Sequence, residues 1–397
     1  MPLPNTTINV IGEIVRPALN KDGVSGIVFY NDNIADLTTF SATTRIVKFT
    51  NLPAIEATGI TKDSVNFQEE HYQISEFFRA GGGEIYIGIY DEAVSAYDFL
   101  ELDELYKFSS GEIRQYSVYN PQNVLDATDV SLIESIVAEY DVAKQPAIAL
   151  LAQDISTLQL SALADLRNLP ADAEHVSVII GQDTQGTALS LTTTNDRSTP
   201  NLGIVLGTLA NAGVEENILD MGIYNYTNGV EMVIPGFYAF DGVSKVMIAI
   251  NEIDKADQDV LNDKGYIFWR YAAISGTYLS NDNNSVNITK TFNSIHIMRP
   301  RNKVIRELDT ALTPLIGSKL LFNGDGTLRP IIITKFTDVA STTMLAMKRD
   351  SEISAYEVFV DPTQDSLTTK TVIVQVSIVP VESSDNIIIN VSFVASL

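Results

Sequence analysis

The chain has 397 residues, 45% hydrophobic and 8% aromatic, with a formal charge of −24 and no cysteine. That composition is globular rather than disordered, and zero cysteines exclude disulfides, thiolate metal sites and cysteine nucleophiles together. No apolar run approaches the ~18 residues of a membrane span, and Met1-Pro-Leu-Pro-Asn-Thr-Thr7 lacks the charged-then-apolar order of a secretory signal.

The length leaves room for roughly two or three domains. Charge is divided unevenly between the halves. Residues 1–254 hold 12 Lys and Arg against 35 Asp and Glu, a net of −23, and residues 255–397 hold 14 against 15, a net of −1. The acidic part repels nucleic-acid phosphates and anionic lipid. The near-neutral part can stack on copies of itself. The split therefore predicts an acidic portion facing solvent and a neutral portion facing protein.

In chain order, residues 6–16 read as a strand bracketed by Pro2, Pro4 and Pro17, followed by a turn at Asn20-Lys-Asp-Gly23. This is either an edge strand of the first domain or an arm that adds to another subunit's sheet. Strand-helix alternation follows. Strands are predicted at Ser25–Tyr30, Glu84–Tyr90, Gly111–Val118, Pro146–Leu151 and Val176–Ile180. Helices are predicted after Asp63 or Ser64 up to Gly81-Gly82-Gly83, and at Ser131–Tyr140, Leu158–Leu166 and Leu202–Ala212. The alternation implies a mainly parallel sheet covered by helices. Residues 183–200 read as a polar surface loop, and the break between halves falls near 245–262.

The second half opens with Gly265-Tyr-Ile-Phe-Trp-Arg-Tyr, a polar turn at Asn281–Asn284, and a strand that leads into a helix ending near Leu312. Asn302 is the expected N-cap, with Val304, Ile305, Leu308 and Leu312 as the buried stripe. Arg299, Arg301, Lys303 and Arg306 place four positive charges within eight residues of this entrance. Cations at a helix N-terminus oppose its dipole, so local helix stability does not explain them. The readings are a solvated face or a contact with an acidic partner. Further strands are predicted at Pro330–Phe336, Ser354–Val360 and Thr371–Ile378, the last returning through Ile387–Phe393 as a hairpin. That hairpin either closes the subunit's own sheet or receives a neighbour's arm.

Chemistry is sparse. His71, His175 and His296 stand far apart without metal-ligand spacing. The Gly81–Gly83 run follows a helix and precedes a strand, the reverse of a phosphate loop. Asp361-Pro-Thr-Gln-Asp365 lacks the glycine and final glutamate of a calcium loop. Neither Ser275-Gly276 nor Gly317-Ser318 has a nucleophile-elbow context. No catalytic, cofactor or metal residue is assigned.

Three segments together resemble contractile tail sheath proteins of bacteriophages and related injection systems. Tyr72-Gln-Ile-Ser-Glu-Phe-Phe-Arg-Ala-Gly-Gly-Gly-Glu-Ile-Tyr-Ile-Gly-Ile89 is similar to the family's helix with paired aromatics, glycine turn and strand. Leu261-Asn-Asp-Lys-Gly-Tyr-Ile-Phe-Trp-Arg270 resembles the segment before its hairpin, and Ser294–Arg306 its arginine-bearing helix entrance, here with Pro300 interposed. The resemblance implies a mixed α/β (α+β) chain with an N-terminal arm over 1–22, an outer acidic α/β domain inserted over 23–254, and an inner assembly domain over 255–397. It implies stacked helical rings of this chain around an inner tail tube, built metastable and contracting without nucleotide. Strand arms would join subunits through Ile8, Val10, Ile14, Val372, Val374, Val376, Ile378, Ile387, Ile389 and Val391. Arg299, Arg301, Lys303 and Arg306 would meet the tube or a neighbour. Baseplate and tail terminator proteins would be further partners, with synthesis in a bacterial cytoplasm, no cofactor, and no nucleic acid or inserted membrane contact. The competing reading is an α/β enzyme or small-molecule-binding protein with a C-terminal β domain.

Overall fold

A computed structural model describes residues 21–92, 97–272 and 276–383. The arm expected over residues 6–16 and the return strand at 387–393 lie outside the described residues. Strands β1 (Ser25–Tyr30), β2 (Ile46–Phe49), β3 (Ile85–Tyr90), β4 (Gln115–Val124), β5 (Ile148–Asp154) and β6 (Val176–Ile179) build a large sheet. A small antiparallel sheet of β7 (Gln182–Asp183), β8 (Pro235–Phe240) and β9 (Lys245–Ala249) follows, before β10 (Tyr266–Ile267) returns to the large one. The large sheet runs β10-β6-β5-β4-β1-β3-β2 and is parallel except for β2. Its central strands are buried along their whole length, which is why they read as continuous apolar runs.

Alternate residues of β1 feed two cores. Ile27 and Phe29 face one side, with residues of α2 (Gln68–Arg79) and α6 (Leu202–Asn211). Val28 and Tyr30 face the other, with α3 (Glu101–Ser109) and α4 (Ala127–Val142). The result is three layers, helices over both faces of the sheet. The short α1 (Leu52–Glu56) precedes α2.

Several expected elements are replaced. Leu158–Leu166 is two single 3-10 turns rather than a helix. Carbonyls there accept from side chains instead of following amides: Lys264 Nζ bonds the Ser161 and Leu163 oxygens, and Tyr266 Oη bonds Ala164. The expected loop 183–200 contains α5 (Gly186–Asn195). Its Thr193 and Thr194 hydroxyls donate to carbonyls four residues back, and its Ala188 and Leu191 pack on Tyr72.

Past α7 (Lys255–Asp263), the hairpin β11 (Trp269–Ala272) and β12 (Gly276–Leu279) leads to α8 (Ile295–Leu312). Here the expected strand into an Asn302-capped helix is corrected, because the helix already begins at Ile295. Asp282 supplies the cap from a distance. Its main-chain oxygen takes the Ile295 amide at 2.9 Å and its carboxylate the His296 amide at 2.8 Å. Pro330–Phe336 is likewise no strand but the start of α9 (Pro330–Arg349). Pro330 suits the first helical turn. Ile332, Phe336, Ala340, Met344 and Met347 recur at helical spacing and are buried, which overrides the β-branched propensity of the run. Strand β13 (Ala355–Phe359), the one-turn α10 (Ser366–Thr369) and β14 (Gln375–Val379) complete the described chain.

The expected division at 254/255 does not coincide with a change of core. Ile250, Leu261, Tyr266 and Phe268 share a core with Tyr116 and Val137. The change comes within α8. Met298 belongs to the three-layer body, whereas Val304 and Leu308 enter a small core with α9, β13 and β14, and Leu312 a second one with α9 and the segments beside those strands.

Helices α2 and α6 approach closely because α6 carries glycines four apart. A Cβ at Gly203 would lie 2.0 Å from the Gln73 carbonyl oxygen, and one at Gly207 2.2 Å from that of Phe77. Replacing either by alanine is expected to cost at least about 1–3 kcal/mol, read as a lower urea midpoint. Gly83→Ala, with nothing within 4 Å of the added carbon, should stay within about 0.5 kcal/mol.

Candidate assembly site

Helix α8 is the junction of the molecule, and its four basic residues are engaged inside the chain. Arg299 is buried and donates to three carbonyls at the C-terminal end of α6: Leu209 at 2.9 Å, Ala212 at 3.1 Å and Gly213 at 2.7 Å. Those are the oxygens that a helix end leaves without amide partners, where positive charge is favoured. Arg301 pairs with Asp141 of α4. Lys303 lies 2.9 Å from Asp22 and also pairs with Glu352. Arg306, also buried, meets Asp22 at 2.7 Å and the Pro146 carbonyl at 3.2 Å. The cluster that the sequence offered as an outward face is thus met by acids and carbonyls of its own chain.

Asp22 is the shared anion. Burial alone would raise its pKa, but Lys303 and Arg306, with Arg299 beyond, hold it below the ordinary carboxylate value. Glu352 is pushed up instead, because burial and the nearby Asp22 charge outweigh its pairing with Lys303. From Arg301 the network continues inward. Asp141 lies 3.4 Å from His175 Nε2, whose Nδ1 is 2.7 Å from Glu134. Burial works against charge on this imidazole, yet the two carboxylates prevail and push it up to about 9. His71 and His296 also face carboxylates, at 3.0 Å from Glu56 and 2.7 Å from Asp282.

The same helix touches the roots of both chain ends. Asp22 stands next to the first described residue. Toward the other end, His296 Nε2 lies 3.9 Å from Glu382, and Asn217 Nδ2, 3.3 Å from His296 Nδ1, donates to Ser383 at 2.9 Å. Beyond α8, β13 and β14 pair antiparallel as a two-stranded sheet, Val358 opposite Val376 and Tyr356 opposite Ile378. Val376 and Ile378 pack toward Met344 and Met347, and Val372 and Val374 toward Phe336 and Val360. These four candidate arm residues are therefore packed in their own subunit. The outer edges of both strands carry no partner strand among the described residues. Ile8, Val10, Ile14, Ile387, Ile389 and Val391 lie outside the described residues.

The whole chain, three-layer body and small unit together, shares its fold with solved sheath proteins of contractile systems. The chain is similar in fold to the anti-feeding prophage helical sheath in its contracted state, with a TM-score of 0.61, 16% identity and 99% of each chain covered. It is similar to the contracted sheath of the extracellular contractile injection system PVC, at TM-score 0.63 and 13% identity over 99% of this chain and 98% of that one. A sheath tail protein from Desulfitobacterium hafniense gives TM-score 0.57 and 10% identity over 96% and 97%. No protein-family model and no curated protein sequence matches. The sheath-type fold expected from the sequence is the fold observed.

His175 gives the network a pH signature. Its folded pKa, about 9, lies above its ordinary 6.5, so its contribution is complete below about 6.5 and is lost as pH rises through 9. Wild-type stability minus that of His175→Gln should fall by about 2 kcal/mol across this window, measured by urea unfolding at each pH.

Proposed function

We propose that the chain is a structural subunit of a contractile tail sheath. The observation that carries this reading is the β13–β14 sheet, with both outer edges open among the described residues, in a chain whose fold matches sheath proteins along its length. A two-stranded sheet is marginal alone, and exposed strand edges accept further strands. In this reading the chain ends supply those strands between subunits, with an inner assembly part from about 255 and an outer part over 23–254. This is a division of roles rather than of cores, since Ile250, Leu261, Tyr266 and Phe268 pack in the core of the three-layer body. Rings of subunits stack around an inner tube in a metastable state, begin at a baseplate and end at a terminator protein. Contraction moves the tube without nucleotide. The reading assigns no catalytic residue and places the protein in a virion tail or tail-like particle.

For the four basic residues, the internal pairing favours a structural role over contact with a tube. Reversing two charges separates these roles. Arg301→Glu with Lys303→Glu should lower the melting temperature of the isolated subunit, because Asp141, Asp22 and Glu352 would then face like charge. Unchanged melting with weakened co-assembly on a tube would restore the contact role.

Purified full-length chain should form rings or tubes by electron microscopy, and removal of residues 1–16 should prevent this while leaving the subunit folded. Ordered polymer from the truncated chain would reject the arm assignment, and a stable monomer at high concentration from the full chain would reject the sheath reading.

A further inference from the structure

Pro300 lies inside α8, five residues after its start. It has no amide hydrogen to give the carbonyl of His296, so the helix is weakened at that turn. The two sides of the proline pack in different cores. Ile295 and Met298 belong to the three-layer body, and Val304 and Leu308 to the small unit. Among the described residues, the small cores include nothing before Val304. A turn short of one hydrogen bond between two separately packed bodies is a hinge by position.

What holds the far side of this turn against the body is mostly charge. Arg301 reaches Asp141, while Lys303 and Arg306 both reach Asp22. Asp22 also lies beside Arg114 and Arg299, around a small cavity lined with Arg306. One carboxylate thus sits among four cations. Its removal would leave Arg114, Arg299 and Arg306 facing one another, with Lys303 keeping only Glu352, which drives the cations apart. The turn bearing Asp22 is itself pressed against α6: a Cβ at Gly23 would lie 2.2 Å from the Ala210 carbonyl oxygen.

We propose that Asp22 is a latch on a hinge at Pro300. With the carboxylate in place, the small unit is held in one orientation. With it withdrawn, the far part of α8 swings with α9, β13 and β14. The state of this carboxylate is thereby read out as the orientation of the β13–β14 edges. The device belongs to the single subunit and is tested there, so its failure would leave the sheath reading intact.

The absence of cysteine allows one introduced pair, Ser135→Cys on α4 and Thr342→Cys on α9, both exposed positions, to carry spin labels. Inter-label distances in the full chain, diluted in excess unlabelled chain so that only pairs within one subunit are read, should form one narrow distribution. Asp22→Asn, nearly isosteric, should broaden it or add a second peak. Adding Pro300→Ala to Asp22→Asn should narrow it again by restoring the helical turn. Lys303→Gln, alone and with Pro300→Ala, repeats the comparison if Asp22→Asn fails to fold by circular dichroism. An unchanged distribution in the folded latch variant, or broadening that persists with Pro300→Ala, overturns the proposal.

Discussion

The docking of α8 depends on one partly buried carboxylate. Asp22 accepts from Lys303 and Arg306 at 2.9 and 2.7 Å, while the apolar side of α8 is divided between two cores. Buried ion pairs return little more than their desolvation cost, but leaving one member alone costs several kcal/mol. Their effect is therefore strongest on geometry. A purely apolar α8 could slide by a turn and still bury area. One carrying Arg299 against three carbonyls, Arg301 against Asp141 and two cations against Asp22 fits in one register.

That network changes the meaning of the charge asymmetry. The excess of acid before residue 254 and the neutrality after it suggested a solvent-facing part and a protein-facing part. Some of the imbalance is instead complementary packing within the chain. Asp22 and Asp141 come from the acidic portion, and both meet cations on α8. With α8 beginning at Ile295, these cations lie beyond its first turn, where the helix dipole no longer opposes them, and acids from other elements pair with them.

The large sheet was legible because its signal is local. Ser25–Tyr30 is apolar on both faces and bounded by Gly23, so its limits could be read directly. Helices α8 and α9 were harder. Ile295-His-Ile and Ile331-Ile-Ile-Thr are β-branched runs whose helical state is set by distant partners, the Asp282 cap and the β13–β14 face. The junction was half legible. Its cations cluster within eight residues, but their acids are scattered at 22, 141 and 352, and Asp22 stands 284 residues from Arg306. A single sequence pairs no such positions. Asn20–Gly23 could be read only as a turn, and nothing local marked Asp22 as the centre of a charge network.

The small unit explains why so much charge is spent on one helix. Its cores are small, and its β13–β14 sheet leaves Phe359 and Val379 about half exposed. Two strands with open edges cannot hold an orientation by themselves. Helix α9 packs on α8 and on β13, so the unit's pose follows that of α8. Sheet edges that accept a strand must also be presented at a defined angle, because register and twist are fixed at the first paired residues. Rigid docking of α8 by directional, charge-assisted bonds supplies that angle without a larger apolar interface between the unit and the body. Such bonds also break discretely when one partner leaves, whereas an apolar interface yields gradually with the area exposed.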